Sequence, residues 1–197
     1  MCAACLRARS ACICRWVTPV ASRVALLVLQ HPLEVRNAKN SARLLHLCVP
    51  GSRLEAGEAF DAAELHALLH ADGRTPLLLY PDTPGDVMPP PTLDAAVLAA
   101  PEGVRLVVLD ATWRKSRKML YLNPALQRLP RLALREVSAS AYRIRKAHAP
   151  HQLSTLEAAA RALAQVEDDA ARYQPLLDAF DGFVQQQARN FPHLNPF

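Results

Sequence analysis

Three apolar runs in this chain lack any helical period. Val24–Gln30 (VALLVLQ), Pro76–Tyr80 (PLLLY) and Val104–Asp110 (VRLVVLD) are short and almost continuously hydrophobic. Such runs read as strands buried on both faces, because a strand with one wet face alternates apolar and polar residues. Between them the spacing becomes helical, and Ser41–Leu47, Asp61–His70, Thr92–Ala100 and Ala111–Leu122 are predicted helices. The clearest helix is Ser154–Ala170 (STLEAAARALAQVEDDA), rich in Ala and Leu, and Pro175–Ala188 is the last. Asp61 with Glu64, and Ser154 with Glu157, have capping-box spacing. Arg131–Val137 is a candidate fourth strand, and the proline-rich stretch Asp82–Pro91 reads as a loop. Strands alternating with helices predict an α/β fold, a mostly parallel sheet flanked by helices.

In such sheets ligands sit beyond the carboxyl ends of the strands. Here three predicted strands end in polar signatures: Gln30-His31-Pro32-Leu33-Glu34, Tyr80-Pro81-Asp82 and Asp110-Ala111-Thr112-Trp113. One edge of the sheet is therefore the expected active face. Asp110 can act as a general base or orient a substrate N–H, and Trp113 offers a flat face for a base. The run Arg114, Lys115, Arg117 and Lys118 can neutralise phosphates. A plainer account also stands: Asp110 and Thr112 as a helix cap, Trp113 as core, the charges as a solvated face. His31 can contact a ligand and Glu34 can hold an amine, or both can belong to a strand-ending turn. The start of the clearest helix can receive a carboxylate at its free N–H groups, although ordinary capping explains Ser154 and Glu157 equally well. Tyr142, Arg143, Arg145, Lys146 and His148 suit either RNA contact or a solvent-facing loop.

Composition narrows the class. Hydrophobic residues make up 51% and charged residues 21%, values of a soluble globular protein. No apolar run approaches the roughly 20 residues of a membrane span. The N-terminus lacks the apolar core of a signal peptide, so a cytoplasmic protein is expected. The formal charge of +5 favours a polyanionic partner. No Gly-rich phosphate loop exists among the six glycines, so an adenosine ligand needs some other cradle.

Four of the five cysteines form the pattern C-x2-C-x6-C-x-C: Cys2, Cys5, Cys12 and Cys14. Four thiolates satisfy tetrahedral Zn²⁺ and leave no open position for metal catalysis. Residues 1–18 are thus expected to be a zinc-binding segment ahead of a catalytic unit at 19–197. Free thiols or a redox cluster are the alternatives. Arg7, Arg9 and Arg15, interleaved with the cysteines, can reach RNA phosphate. Cys48 stands apart as a buried small hydrophobe.

Together these blocks resemble the DTW-domain family, the bacterial tRNA-uridine aminocarboxypropyltransferases. The resemblance runs through the Cys cluster, QHPLEVRNAKNSARLLHL (30–47), LLLYP (77–81), LDATWRKSRKML (109–120) and QLSTLEAAA (152–160). It implies a SPOUT-like fold with a C-terminal trefoil knot that builds the S-adenosylmethionine site from loops. It also implies that Asp110, Thr112 and Trp113 belong to the active-site loop. His31, Pro32, Glu34 and Asn40 belong to the first block; with Tyr80, Pro81, Leu109, Leu153, Ser154, Thr155 and Glu157, the first three are expected around the cofactor. The implied reaction transfers the 3-amino-3-carboxypropyl group to N3 of a tRNA uridine and releases methylthioadenosine. A SPOUT-like RNA methyltransferase, a non-catalytic zinc-containing RNA-binding protein and an rRNA substrate are the alternatives. A monomer or weak dimer is expected.

Overall fold

The computed structural model describes residues 1–81, 89–134 and 153–190. The three apolar runs form the centre of one sheet: β1 (Ala25–Gln30), β3 (Thr75–Leu79) and β4 (Val104–Asp110). Two strands complete it, β2 (Arg53–Ala56) and β5 (Arg131–Leu132). The order is β2-β1-β4-β3-β5, and every pairing is parallel. Residues alternate between two cores, as a period of two requires. Leu26, Val28, Leu106 and Val108 face one core, and Leu27, Leu29 and Val107 face the other. All seven are at most 3% exposed, so each side chain contributes about 1.5–3 kcal/mol of hydrophobic stabilisation.

The helices are α1 (Ala42–Cys48), α2 (Ala62–His70), α3 (Ala95–Leu98), α4 (Trp113–Leu122), α5 (Pro124–Gln127), α6 (Thr155–Glu167) and α7 (Ala170–Asn190). Helices α1, α3, α6 and α7 cover the first face, while α2, α4 and α5 cover the second. The chain leaves β1 over the first face toward β2 and leaves β4 over the second face toward β5. These departures in opposite directions make the carboxyl ends of β1 and β4 a topological switch point. In register, Gln30 pairs with Asp110 at that point.

Several sequence expectations shift. Strand β2 went unpredicted because RLEA is an exposed edge segment without an apolar run. Helix α3 has four residues instead of nine, confined by the prolines on both sides. Helix α7 begins at Ala170 and carries Pro175 inside it, where the sequence reading had put the helix start. Helix α4 starts at Trp113, so Asp110 is the last strand residue and caps nothing. Asp61 accepts from the N–H groups of Ala63 and Glu64, while a reciprocal bond is absent there among the described residues. At α6 both halves of the capping box form. The fourth strand is two residues long within the described chain, and the reading of 135–137 as its continuation lies outside it. The expected C-terminal trefoil knot is not established by the described residues.

The Cys segment packs onto α7. Cys5 and Ile13 are buried in the same core as β1 and α6. The Trp16 indole donates to Gln186 Oε1, and Gln186 Nε2 donates to the Cys12 carbonyl at 3.1 Å. Gly182 packs against Trp16, where a Cβ would collide with the indole ring.

Candidate functional site

The carboxyl ends of β1 and β4 bring together residues far apart in sequence. Asp110 is 3% exposed, yet its surroundings are polar. Its Oδ2 accepts from Gln30 Nε2 at 2.8 Å and from Asn40 Nδ2 at 2.6 Å. Its Oδ1 accepts from the Thr155 hydroxyl at 2.6 Å. The three donors come from β1, from the loop before α1, and from the first turn of α6. Charge-assisted bonds of this kind are roughly twice as strong as neutral ones. Asn40 is itself fixed, because its Oδ1 accepts from Gln30 Nε2 at 3.1 Å and from the Ala42 N–H at 3.0 Å. The backbone closes the same corner: His31 N–H donates to the Asp110 carbonyl at 3.0 Å.

The loop after β1 is pinned to α4. Glu34, 3% exposed, accepts from Lys115 Nζ and from Asn37 Nδ2, each at 2.9 Å. His31 Nδ1 accepts from the Leu33 N–H at 3.1 Å, so in the neutral ring Nε2 carries the proton and donates to Glu58 Oε1 at 3.0 Å. Glu58 also accepts from Lys118 Nζ at 2.9 Å. Lys118 first, then His31, holds the Glu58 carboxyl below its ordinary range. Acids and bases thus alternate along one edge of the sheet.

Trp113 opens α4 nearly half exposed, which removes it from the core. Its ring stacks on Tyr80 with centroids 5.2 Å apart and planes 12° from parallel. Tyr80 is held in turn by the Arg131 guanidinium, 5.3 Å from its centroid. Thr112 occupies the N-cap position of α4 without a side-chain cap bond. Leu109 is half-buried against the second core, Pro81 is exposed, and the Pro81 carbonyl accepts from Arg131 Nη1 at 3.2 Å. Pro32 is exposed in the turn after His31.

The start of α6 is more occupied than its sequence suggested. Ser154 Oγ accepts from the Glu157 N–H, Glu157 Oε2 accepts from the Ser154 N–H, and the Leu156 N–H goes to Ser41 Oγ. Ser154 and Glu157 therefore serve the cap, Thr155 serves Asp110, and half-buried Leu153 leads into the turn. Of the basic run, Lys115 and Lys118 are paired with acids. Arg114 and Arg117 are exposed and make no hydrogen bond or ion pair among the described residues. Arg143, Arg145 and Lys146 lie outside those residues.

Cys2, Cys5, Cys12 and Cys14 converge, with all four sulfurs within 4.8 Å of one another. The Cys2–Cys14 and Cys5–Cys12 sulfur pairs are 3.5 and 3.7 Å apart. Tetrahedral Zn–S bonds of ~2.3 Å require S···S separations of about 3.8 Å, so the set fits such an ion. The N–H groups of Cys5 and Ala4 draw the Cys2 thiol down to about 6, while the Cys2 sulfur pushes Cys14 up to about 12. Four thiolates this close repel one another, and a divalent cation relieves that repulsion. The cluster is tied to the crevice by Arg7. Its guanidinium donates to the Ala38 and Asn40 carbonyls at 2.6 and 2.8 Å and lies over the Phe183 ring.

Sequence reasoning missed Gln30 and Glu58 as site residues and did not place Asn40 on Asp110. Gln30 carried a signal, a polar residue ending an apolar strand. Glu58 carried none.

Comparison with known proteins identifies the family. Residues 1–188 match the DTW domain. The tRNA-uridine aminocarboxypropyltransferase 2 of Mus musculus is 30% identical over 184 residues, covering 89% of this chain and 59% of the relative. The protein of the same name from Drosophila melanogaster is 32% identical over 186 residues, covering 88% and 72%. That from Macaca fascicularis is 27% identical over 183 residues, covering 89% and 59%. The chain thus spans about three-fifths of the mouse and macaque relatives, and all three relatives are animal proteins rather than bacterial ones. No solved structure matches. A match across nearly the whole length, with the Asp-x-Thr-Trp segment at the switch point, leads to one assignment: this chain belongs to the DTW-domain family.

Proposed function

We propose that this chain transfers the 3-amino-3-carboxypropyl group of S-adenosylmethionine to N3 of a tRNA uridine, releasing methylthioadenosine. The single observation that carries the reading is Asp110 at the switch point, ringed by donors from 30, 40 and 155 in a chain of this family. The three relatives named for that activity support it. The donor molecule fits the chemistry of the edge: its amine and sulfonium are cationic, and Asp110, Glu34 and Glu58 are grouped there. When bound, the sulfonium supplies an activated γ-carbon.

The chain's own residues do the rest. Asp110, positioned by its three donors, accepts the uridine N3–H at Oδ1, where the Thr155 hydroxyl yields its place. The N3 lone pair forms the bond to the γ-carbon, the C–S bond breaks, and its electrons stay on sulfur. The N3 proton passes to Asp110 and then to solvent. Placing N3 beside the γ-carbon instead of the methyl group selects the reaction, a matter of position. Trp113 stacks on a base or the adenine, Glu34 receives the donor's amine in exchange for Lys115, and Tyr80, Pro81 and Leu109 wall the second side. Arg114 and Arg117, with Arg143, Arg145 and Lys146, hold tRNA phosphates. A C-terminal SPOUT-like knot, a structural Zn²⁺ on the segment 1–18 beside a catalytic unit at 19–197, cytoplasmic action and a monomer or weak dimer complete the reading. No helix among the described residues is long and apolar enough to cross a membrane.

Incubation of the protein with tRNA and S-adenosylmethionine, followed by mass spectrometry of nucleosides, is the test. The expected products are 3-(3-amino-3-carboxypropyl)uridine and methylthioadenosine. Methylated nucleoside with S-adenosylhomocysteine would replace this reading by a methyltransferase.

A further inference from the structure

A groove of about 420 Å³ lies away from the Asp110 crevice, between the Cys segment and α7, lined by Arg9, Ser10, Cys12, Arg15 and Gln186. Its floor is closed. Both ends of the Gln186 amide are used, one by the Trp16 indole and the other by the Cys12 carbonyl. Its rim is open and cationic. Arg9 and Arg15 are both exposed, and neither side chain makes a hydrogen bond or ion pair among the described residues. The Arg15 guanidinium sits over the Trp16 ring, 4.6 Å from its centroid. That contact steadies the guanidinium while its N–H groups keep no acceptor among the described residues. The groove is also held in fixed relation to the crevice. Arg7 grips the Ala38 and Asn40 carbonyls, and Arg43 donates twice to the Ala4 carbonyl, at 3.2 and 2.6 Å.

We infer that this groove is a second RNA contact, in which Arg9 and Arg15 bind backbone phosphates of the substrate RNA outside the modified nucleotide. The inference rests on the tRNA reading above for the identity of the ligand, and on the groove itself for its place. Two unpaired guanidinium forks on a rigid concave surface match the bidentate geometry of phosphate. Phosphate contacts fix the register of a nucleic acid without reading its bases, which an enzyme presenting one uridine to one crevice requires. A metal centre with all four ligands from the chain would give the segment the stiffness such a clamp needs.

The test compares wild type with the Arg9→Gln/Arg15→Gln double variant in titrations with an unmodified tRNA transcript from 50 to 300 mM salt. The variant is expected to bind more weakly by about tenfold or more, with a log–log salt slope shallower by about 1.5–2. Zinc content, melting temperature and S-adenosylmethionine affinity should match wild type, and the loss should fall on KM for tRNA rather than on kcat. An Arg9→Lys/Arg15→Lys variant should recover the slope, because both charges return. Unchanged tRNA affinity and slope in the Gln variant overturn the groove, even where wild type modifies tRNA normally. A wild type that binds tRNA without transferring anything, beside a Gln variant that binds less, supports the groove and sinks the transferase reading alone.

Discussion

Asp110 has three donors on two oxygens, and that count governs how substitutions act. In Asp110→Asn the amide oxygen can keep the bonds from Gln30 and Asn40, while Nδ2 replaces Oδ1 and the Thr155 hydroxyl rotates to accept. The variant should therefore fold with a loss of about 1 kcal/mol in urea denaturation. Transfer should fall by about 10²–10⁴-fold, since a donor now faces the N3–H. An Asn variant that modifies tRNA at the wild-type rate removes the carboxylate from proton handling. Asp110→Ala should be less stable than Asp110→Asn, because one N–H of each of the buried Gln30 and Asn40 amides loses its acceptor, at about 1–3 kcal/mol each. The residue types were visible in the sequence, an acid after an apolar strand and a Thr opening a helix. Their meeting was not, since Asp110 and Thr155 are 45 positions apart.

At the scale of elements, the tightest packing of the Cys segment on α7 is Trp16 over Gly182, beside the Trp16–Gln186–Cys12 hydrogen bonds. The ring occupies the volume a Cβ would need, and neither the helix backbone nor the tethered indole can give way cheaply. Gly182→Ala is expected to destabilise by about 1–3 kcal/mol despite the better helix propensity of alanine. In protein loaded with Zn²⁺, a chelator should also remove the ion faster from this variant than from wild type. Unchanged melting temperature and metal release would mean that the Trp16–Gly182 packing contributes nothing to docking. The convergence of the four sulfurs was legible from spacing alone. The docking partner was not, because Gly182 reads in sequence only as a weak helix residue. The α6 cap was legible for the opposite reason: Ser154 and Glu157 are three residues apart, within reach of a local motif.

The whole molecule carries a charge device at the edge of the sheet opposite the site. Glu167, with its side chain fully buried, accepts from Tyr173, Ser22 and the N–H groups of Arg23 and Val24, and pairs with Arg23 and Arg172 at 3.5 Å. Burial alone would raise its pKa, but the donors outweigh it and hold the carboxyl below the ordinary 4.5. A depressed folded pKa gives stability that is present above the unfolded value and lost as pH falls through the folded one. Melting temperature should therefore decline as pH drops below about 4.5, and the decline should be flatter in Glu167→Gln, which starts lower at pH 7. Identical pH curves for the two proteins would exclude the linkage. Read alone, the sequence determined the strand cores, most helices, the parallel α/β class, the four thiols and the family resemblance. Each of these follows from near-neighbour sterics and burial, which repeat with a local period. The tertiary structure alone decided that Gln30 lies beside Asp110, that Lys115 neutralises Glu34, and that Arg7 joins the Cys segment to Asn40. Those contacts depend on strand register and on how the chain crosses the sheet, and no local pattern encodes either.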